Sequence, residues 1–303
     1  MKSTILFAQS YGQADVLDFL TQDLPILVSG MARIKVKASG INPIDARRMT
    51  GEFKHTPLPQ TFGTEFAGII VEVGSNPNGW SVGDEVLGSG GAFTHATIID
   101  VPIANLVARP QPINWEVVGT IAGAAQAAMT ILDEIGKVDS LLTHGASGGV
   151  GSITIQLAKE RGIEVVATAS AKNQDYLKKL GATPVIYGEG LIDRLKEIHP
   201  TPFEASIDMS GTEEATQTSL QCVKANGFIG SIAGKRLSSP RVQAVWVKRS
   251  PTNLKYVVDG IADGRFTWEV DSNNIYPFEK AAEAYTNILK GHTRGKSVLI
   301  FNE

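Results

Sequence analysis

The sequence predicts an α/β protein of three parts, with a doubly wound parallel sheet in the middle part. Residues up to about 112 are rich in turns and in short runs of β-branched residues, which is typical of strands. From residue 113 to residue 249, short apolar runs alternate with helical patterns, and one run leads directly into a glycine-rich turn. Residues 250–303 read as helix, strand, helix and strand. A chain of 303 residues is long enough for two domains, each with its own core.

The individual elements follow from local patterns. In the first part, Arg33–Lys37 (RIKVK) and Ile69–Val73 (IIVEV) alternate or cluster β-branched residues, as strands do. In the middle part we predict buried parallel strands over Leu141–His144, Glu164–Ala169, Pro184–Tyr187, Ala205–Met209 and Gly227–Ala233. In the last part we predict a helix over Thr252–Ala262, a strand near Thr267–Ile275, a helix over Pro277–Lys290 and a strand over Lys296–Phe301.

The glycine-rich turn lies between the first of these middle strands and a helical pattern. Its residues are Ala146, Ser147, Gly148, Gly149, Val150 and Gly151. Strand, tight turn and helix in this order form a dinucleotide site, because the first helical N–H groups face the phosphates. Gly148 lets the backbone approach a pyrophosphate, and Gly151 lets the helix pack closely on the sheet. Ala146 stands where the usual pattern begins with glycine, so the alternative is a merely structural turn.

The end of the next strand indicates which dinucleotide is bound. A site for NAD carries Asp or Glu about 20 residues after the glycine turn, where it binds the ribose 2′-hydroxyl. Residues 168–172 read TASAK and contain no acid. Ser170 and Lys172 can donate hydrogen bonds to a 2′-phosphate, which a carboxylate would repel. We therefore predict NADPH as the cofactor; the alternative is that Lys172 is an ordinary solvated lysine.

Composition and charge exclude several partner classes. The formal net charge is −3 and the sequence has no basic block, so we expect neither nucleic acid nor an anionic membrane as a partner. The first residues lack a long apolar run, so we predict neither a signal peptide nor a transmembrane helix. Cys222 is the only cysteine and cannot form an internal disulfide, which agrees with a cytoplasmic location.

The histidines and the cysteine do not form a metal site by local spacing. No two of the five histidines lie within one helical turn of each other; they are His55, His95, His144, His199 and His292. A catalytic zinc needs three protein ligands, and a structural zinc needs about four, typically thiolates. We therefore predict that the protein binds no metal.

Five segments together indicate a family. They are VKASGINPIDARRMTGEF (Val36–Phe53), FGTEFAGIIVEVG (Phe62–Gly74), VGDEVLG (Val82–Gly88), HGASGGVGSITIQLAKERG (His144–Gly162) and RGKSVL (Arg294–Leu299). Over essentially its full length, the chain resembles the medium-chain dehydrogenase/reductase superfamily, in its zinc-independent quinone oxidoreductase branch. Zinc-containing members carry Cys where this chain has Asn42, and His-Glu where it has Thr64 and Glu65.

The resemblance implies a fold, an activity and an assembly. A Rossmann domain, residues 113–249, would be inserted in a GroES-like β-rich catalytic domain formed by residues 1–112 and 250–303. In a cleft between them, NADPH would transfer a hydride to a quinone or to an α,β-unsaturated carbonyl compound, and the protein would stabilise charge on the carbonyl oxygen. The resemblance also implies a homodimer.

Several predicted site residues depend on this resemblance. Asn42 either donates from its amide to the substrate carbonyl or the nicotinamide ribose, or holds the turn before Pro43. Arg47 and Phe53 stand where the branch usually carries Tyr; Arg47 either binds an acidic substrate or an enolate, or forms a surface ion pair. The remaining predicted cofactor contacts are Gln126, in a segment where the branch often has Thr near the nicotinamide, Tyr187, one position out of register with a phosphate-binding Tyr, and Lys296.

Two other functions fit the same resemblance. Some relatives hold NADPH without catalysis, as lens proteins or RNA binders, and the acidic balance argues against RNA here. An enoyl-thioester reductase would need a groove and basic residues for a phosphopantetheine arm.

The predicted dimer contact is an edge strand. We place it within Arg241–Lys248 (RVQAVWVK), where apolar residues alternate. An exposed apolar edge is an aggregation hazard unless another strand pairs with it. The alternative is an internal strand covered by its own helices.

Overall fold

The computed structural model describes residues 1–54 and 57–302, and it divides into two compact units. The first unit comprises Met1–Gly123, Arg249–Arg265 and Glu269–Glu303, and the second comprises Ala124–Lys248 and Phe266–Trp268. The first boundary therefore falls after Gly123, whereas the sequence placed it after residue 112. The reason is a short helix, Trp115–Val118, which packs on strands of the first unit.

The first unit is rich in strands, as predicted. Numbered along the whole chain, its strands are β1 (Lys2–Ala8), β2 (Leu17–Asp23), β3 (Met31–Ile41), β4 (Gln60–Thr61), β5 (Glu65–Val73), β6 (Glu85–Ser89), β7 (Ile98–Pro102), β8 (Leu106–Ala108), β15 (Val270–Pro277) and β16 (Lys296–Ile300). Its helices are α1 (Pro43–Thr50), α2 (Trp115–Val118), α8 (Pro251–Ala262) and α9 (Ala281–Leu289). Strands β2, β1 and β4 form a small sheet, and the larger sheet has the order β15-β16-β3-β5-β6-β8, with β7 also paired to β3.

The register of the larger sheet brings three distant segments together. Strand β3 is antiparallel to both β5 and β16. Ser297 lies opposite Ile41, so the start of β16 lies beside the end of β3. The start of β5 lies at the same end of the sheet, since Ala67 pairs with Ala38. Residues just after β3 and at the starts of β5 and β16 therefore meet.

The second unit is a six-stranded, fully parallel sheet with helices, which confirms the predicted doubly wound fold. Its strands are β9 (Ser140–His144), β10 (Glu164–Ala169), β11 (Thr183–Ile186), β12 (Phe203–Asp208), β13 (Val223–Ser231) and β14 (Gln243–Ala244). Its helices are α3 (Ile121–Ile135), which begins in the first unit, α4 (Gly149–Glu160), α5 (Gln174–Leu180), α6 (Leu191–Ile198) and α7 (Glu213–Cys222). The predicted strands of this sheet agree with these bounds to within four residues.

The strand predicted within Arg241–Lys248 is present but short. Only Gln243–Ala244 forms a strand, β14, which pairs with β13 at the end of the strand order. Val242 and Val245 are buried, while Gln243 and Ala244 between them are exposed, so burial does not alternate with period two. The edge position itself agrees with the prediction.

Candidate active site

The parallel sheet of the second unit has a topological switch point at its carboxyl edge. Strand β9 lies inside the sheet; the chain goes from it to β10 and β11 on one side, and then to β12, β13 and β14 on the other. The connections after β9 and β12 therefore leave in opposite directions and open a crevice between them. In open α/β sheets, this crevice is where ligands bind.

The glycine-rich turn follows β9 at this edge and leads into α4. The N–H groups of Gly149, Val150 and Gly151, in the first turn of α4, donate to no backbone acceptor within residues 1–54 and 57–302. The next N–H group, of Ser152, donates to the carbonyl oxygen of Gly148 at 2.9 Å. Three N–H groups at the positive end of a helix dipole form a site for an anion such as a phosphate.

Gly148 and Gly151 in this turn differ in what a Cβ at each position would contact. At Gly151, a Cβ would lie 2.5 Å from the carbonyl oxygen of buried Ala146, so the close packing of α4 requires glycine there. At Gly148, the backbone is extended, and a Cβ would have only the carbonyl oxygen of Gly145 nearby, at 3.7 Å. The protein itself does not require glycine at 148. The open space beside it is what a pyrophosphate needs for close approach.

Three residues predicted to bind the adenosine side follow the neighbouring strands β10 and β11. Ser170 is half-buried, and its Oγ accepts from Asn173 Nδ2 at 3.3 Å. Lys172 is exposed and has no hydrogen bond or ion pair among the described residues. Tyr187 is 40% exposed, and its N–H donates to the carbonyl oxygen of Ala169. No carboxylate occurs between Ser170 and Lys172, so the residues fit a 2′-phosphate.

A buried histidine lies at the end of β9, directly before the turn. His144 Nδ1 is 3.2 Å from Thr168 Oγ1, and Nε2 is 3.2 Å from Ser219 Oγ. Because Ser219 donates its own hydrogen to the carbonyl oxygen of Ala215, His144 Nε2 donates to Ser219 and Nδ1 accepts from Thr168. Burial lowers the pKa of His144 from 6.5 to about 4, although Asp208 opposes this shift. The neutral imidazole thus joins β9, β10 and α7 beneath the turn.

This histidine makes stability depend on pH. The pKa of His144 is lower in the folded state, so the unfolded chain binds more protons, and stability is lost as pH falls from about 6.5 towards 4. The His144 contribution over this range is about 3 kcal/mol. Urea unfolding at pH 7, 6 and 5 measures it. The variant His144→Gln is expected to show a shallower pH dependence, and an unchanged slope would contradict the assignment.

A second polar cluster lies within the first unit, where β3 ends and β5 and β16 begin. Glu65 is fully buried, and its Oε1 accepts from Lys296 Nζ at 2.6 Å and from Asn42 Nδ2 at 2.8 Å. Its Oε2 accepts from the N–H of Gly123 at 2.6 Å. Lys296 Nζ also donates to Asn42 Oδ1 at 2.6 Å. Gly40 makes room for the cluster, because a Cβ there would overlap the Glu65 carboxylate.

The structure gives the predicted Asn42 and Arg47 specific contacts. The Asn42 backbone N–H donates to Asp45 Oδ2 at 2.9 Å, which caps α1, while its side-chain amide belongs to the cluster. The position thus holds the turn before Pro43, and its amide hydrogens have acceptors inside the unit. Arg47 Nε lies 3.8 Å from Glu52 Oε1, which favours the ion-pair alternative for Arg47.

Gln126 and Lys296, the remaining predicted cofactor contacts, are both buried, and Glu65 is a buried residue that was not predicted. Gln126 is 2% exposed on α3, and its carbonyl oxygen accepts from Thr130 Oγ1. Lys296, predicted as a cofactor contact, is paired with Glu65. No role of its own was predicted for Glu65. Its signal was a charge directly before the apolar run FAGII, where a buried carboxylate needs a partner.

Outside residues 55, 56 and 303, no group of three or more His, Cys, Asp or Glu side chains could hold a metal ion. His55, one of the five histidines considered above, lies outside the described residues. Within the described chain, no helix is long and apolar enough to cross a membrane.

Metal independence is directly testable. Dialysis against a chelator is expected to leave the rate of NADPH oxidation unchanged, because the clusters described above contain no three-ligand set. Elemental analysis of the purified protein is expected to find no stoichiometric zinc. One zinc per chain, with activity lost on chelation and restored by zinc, would contradict the prediction.

The chain is similar to several known oxidoreductases. The chain is 29% identical over 310 residues to 2-methylene-furan-3-one reductase of Solanum lycopersicum. The alignment covers 95% of this chain and 76% of that protein. It is 29% identical over 308 residues to NADPH-dependent alkenal/one oxidoreductase, chloroplastic, of Arabidopsis thaliana. This alignment covers 95% of this chain and 77% of that protein. The structure of Escherichia coli quinone oxidoreductase complexed with NADPH matches with a TM-score of 0.86 at 25% identity, covering 98% of this chain and 99% of that one.

Two family models match successive parts of the chain. The model described as alcohol dehydrogenase GroES-like domain matches residues 29–138, and the model described as zinc-binding dehydrogenase matches residues 149–253. Together with the two-unit fold, these matches place the chain in the medium-chain dehydrogenase/reductase superfamily. Within the superfamily, it belongs to the quinone oxidoreductase branch.

Proposed function

We propose that this protein is an NADPH-dependent oxidoreductase that transfers a hydride to a quinone or to an α,β-unsaturated carbonyl compound. The observation that carries the proposal is the anion site of the second unit. There, three helical N–H groups without backbone acceptors and the open space at Gly148 lie at a topological switch point. Bound there, NADPH would supply the hydride.

The cofactor-binding residues are proposed from their placement. The turn residues Gly148, Gly149, Val150 and Gly151 would bind the pyrophosphate through backbone N–H groups. Ser170, Lys172 and Tyr187 follow β10 and β11 and would bind the 2′-phosphate. Lys172 is exposed and has no partner among the described residues, so its ammonium is available without breaking an existing ion pair.

The acceptor class is proposed from the relatives. The names of the three proteins compared above include a methylene-furanone, alkenals and alkenones, and a quinone. The methylene-furanone and the quinone carry a C=C bond conjugated to a carbonyl group, and alkenals and alkenones also combine a C=C bond with a carbonyl group. Hydride addition to such an acceptor places negative charge on the carbonyl oxygen, so the protein must supply hydrogen-bond donors at that oxygen.

A panel of acceptors tests the proposed function. Anaerobic oxidation of NADPH, followed at 340 nm, is measured with a quinone, an enal, an enone and an enoyl thioester. We expect turnover with at least one of the first three. Turnover with the thioester alone would make the protein an enoyl-thioester reductase. NADPH binding without turnover of any acceptor would support a non-catalytic role, and a mobility shift with AU-rich RNA would then test the RNA-binding alternative.

We also propose a homodimer formed through β14, and a location in the cytoplasm. Trp246 and Val247, two and three residues after the end of β14, are 65% and 43% exposed. Among the described strands only β13 pairs with β14, so its outer edge is available to a second copy. Pairing of two such edges would give an isologous contact.

The structure determines which proline variant tests this dimer. The N–H of Val245 donates to the carbonyl oxygen of Ser231 within the same chain, so Val245→Pro would break an internal hydrogen bond. The N–H of Ala244 points to the other side of the strand. Ala244→Pro is therefore expected to dissociate the dimer and leave the fold intact. Light scattering at micromolar concentration measures both; a wild-type monomer, or a folded dimeric variant, would contradict this contact.

A further inference from the structure

The ion pair between Lys296 and Glu65 is costly to bury. The side chains are 5% and 0% exposed, so both charged groups have lost nearly all contact with water. An apolar pair of similar volume would fill this space without that loss, so a buried pair is weak evidence of a stabilising role. Buried charges of this kind also occur where a protein needs a fixed field for chemistry.

The neighbours of the pair hold the carboxylate on several sides and leave the ammonium with a spare hydrogen. Glu65 accepts from Lys296, Asn42 and the N–H of Gly123. Lys296 carries three hydrogens but has two acceptors in residues 1–54 and 57–302, Glu65 Oε1 and Asn42 Oδ1. The third hydrogen of a nearly buried ammonium is thus available to a ligand oxygen.

The hydroxyl of Thr64, which contacts the Asn42 side-chain amide, is a second hydrogen-bond donor. Its Oγ1 accepts from Asn42 Nδ2 at 3.3 Å, and its own hydrogen has no acceptor in the described chain. Thr64 is half-buried. Asn42, in contrast, uses both amide hydrogens within the cluster. The Asn42 amide therefore holds the two groups that still have a hydrogen to donate, with Thr64 at its nitrogen and Lys296 at its oxygen.

We propose that Lys296 and Thr64 donate hydrogen bonds to the carbonyl oxygen of the acceptor, with Asn42 and Glu65 as positioning residues. This inference rests on the proposed function. NADPH, held by the glycine-rich turn of the second unit, would supply a hydride to the carbon β to the carbonyl, and the C=C electrons would then move towards the oxygen to give an enolate. The ammonium and the hydroxyl stabilise this negative oxygen, and a solvent proton then adds to the α-carbon to give the saturated carbonyl compound.

An oxyanion probe tests the donor site without turnover. The probe is p-nitrophenol, whose phenolate absorbs near 400 nm, titrated into the protein saturated with NADP⁺. Wild type is expected to bind the phenolate and to lower the apparent pKa of the bound phenol. In Lys296→Met, phenolate affinity is expected to fall at least tenfold, whereas Lys296→Arg retains part of it. Lys290→Met, which removes an exposed lysine of the same unit, is the matched control and is expected to behave as wild type.

A second variant separates donation from folding. Thr64→Val removes the hydroxyl and keeps the shape, so it is expected to fold, to bind NADPH normally and to lose phenolate affinity. Full phenolate binding by Thr64→Val, or by a folded Lys296→Met, would overturn the inference. Unchanged kcat and KM in both variants would overturn it while the proposed function stood. If the protein turned over no acceptor but its phenolate binding depended on Lys296, the proposed function would be contradicted and the donor site would stand.

Discussion

Gly148→Val is expected to abolish nucleotide binding and to leave the fold intact. The backbone at 148 is extended, which valine tolerates, and its Cβ would enter space where the nearest non-neighbouring atom is the carbonyl oxygen of Gly145, at 3.7 Å. That space is where a pyrophosphate must approach the N–H groups of α4. We expect NADPH affinity to fall about 100-fold or more, which corresponds to about 2.7 kcal/mol. Titration calorimetry measures the affinity, and circular dichroism checks the fold.

Gly151→Ala is the matched control, three residues further along the same turn. A Cβ at 151 would meet the carbonyl oxygen of Ala146 at 2.5 Å, so this variant is expected to lower the melting temperature. The two substitutions should thus have different effects: Gly148→Val should weaken nucleotide binding, and Gly151→Ala should lower stability. If Gly148→Val bound NADPH as wild type does, the turn would not be the phosphate site.

Lys172→Ala is expected to weaken NADPH binding by about 10- to 150-fold and to leave NADH binding nearly unchanged. The loss corresponds to one charge-assisted hydrogen bond of about 1.5–3 kcal/mol to the 2′-phosphate, which NADH lacks. Lys172 has no partner in the described chain, so the substitution breaks no internal ion pair. The dissociation constants of both nucleotides, for wild type and variant, measure the effect.

The control for this prediction is Lys178→Ala, which removes the same charge from the exposed face of α5. It is expected to bind both nucleotides as wild type does. Equal affinities of the wild type for NADPH and NADH would reject the cofactor assignment, because they would show that nothing in the site recognises the 2′-phosphate.

The nucleotide-binding unit could be predicted from sequence because its signals are local. Strand β9, the glycine turn and α4 are consecutive, and the apolar run of β10 coincides with its predicted bounds, Glu164–Ala169. Even the distinction between Gly148 and Gly151 follows from the pattern, and the structure supplies its physical reason. Strand β14 was different: the residues on either side of it, Val242 and Val245, are buried, and this spacing of three does not follow from the alternation in the sequence.

The cluster of the first unit could not be predicted because its members are far apart in sequence. Lys296 and Glu65 are 231 residues apart and meet only through the register of β16, β3 and β5. The sequence suggested Asn42 as a donor, yet its amide is occupied by Glu65 and Lys296, which no local pattern reveals. Lys296 was predicted to contact the cofactor, whereas the structure pairs it with buried Glu65.

The most direct test of the account is the single-turnover rate of NADPH oxidation with the best acceptor of the panel. It is measured with NADPH and with NADPH deuterated at nicotinamide C4, in wild type and in Gly148→Val. We expect slower oxidation of the deuterated nucleotide by wild type, because the C4 hydrogen leaves as the hydride, and no oxidation by the variant at the same NADPH concentration. Absence of oxidation by wild type, or oxidation by Gly148→Val at the wild-type rate, would contradict the account.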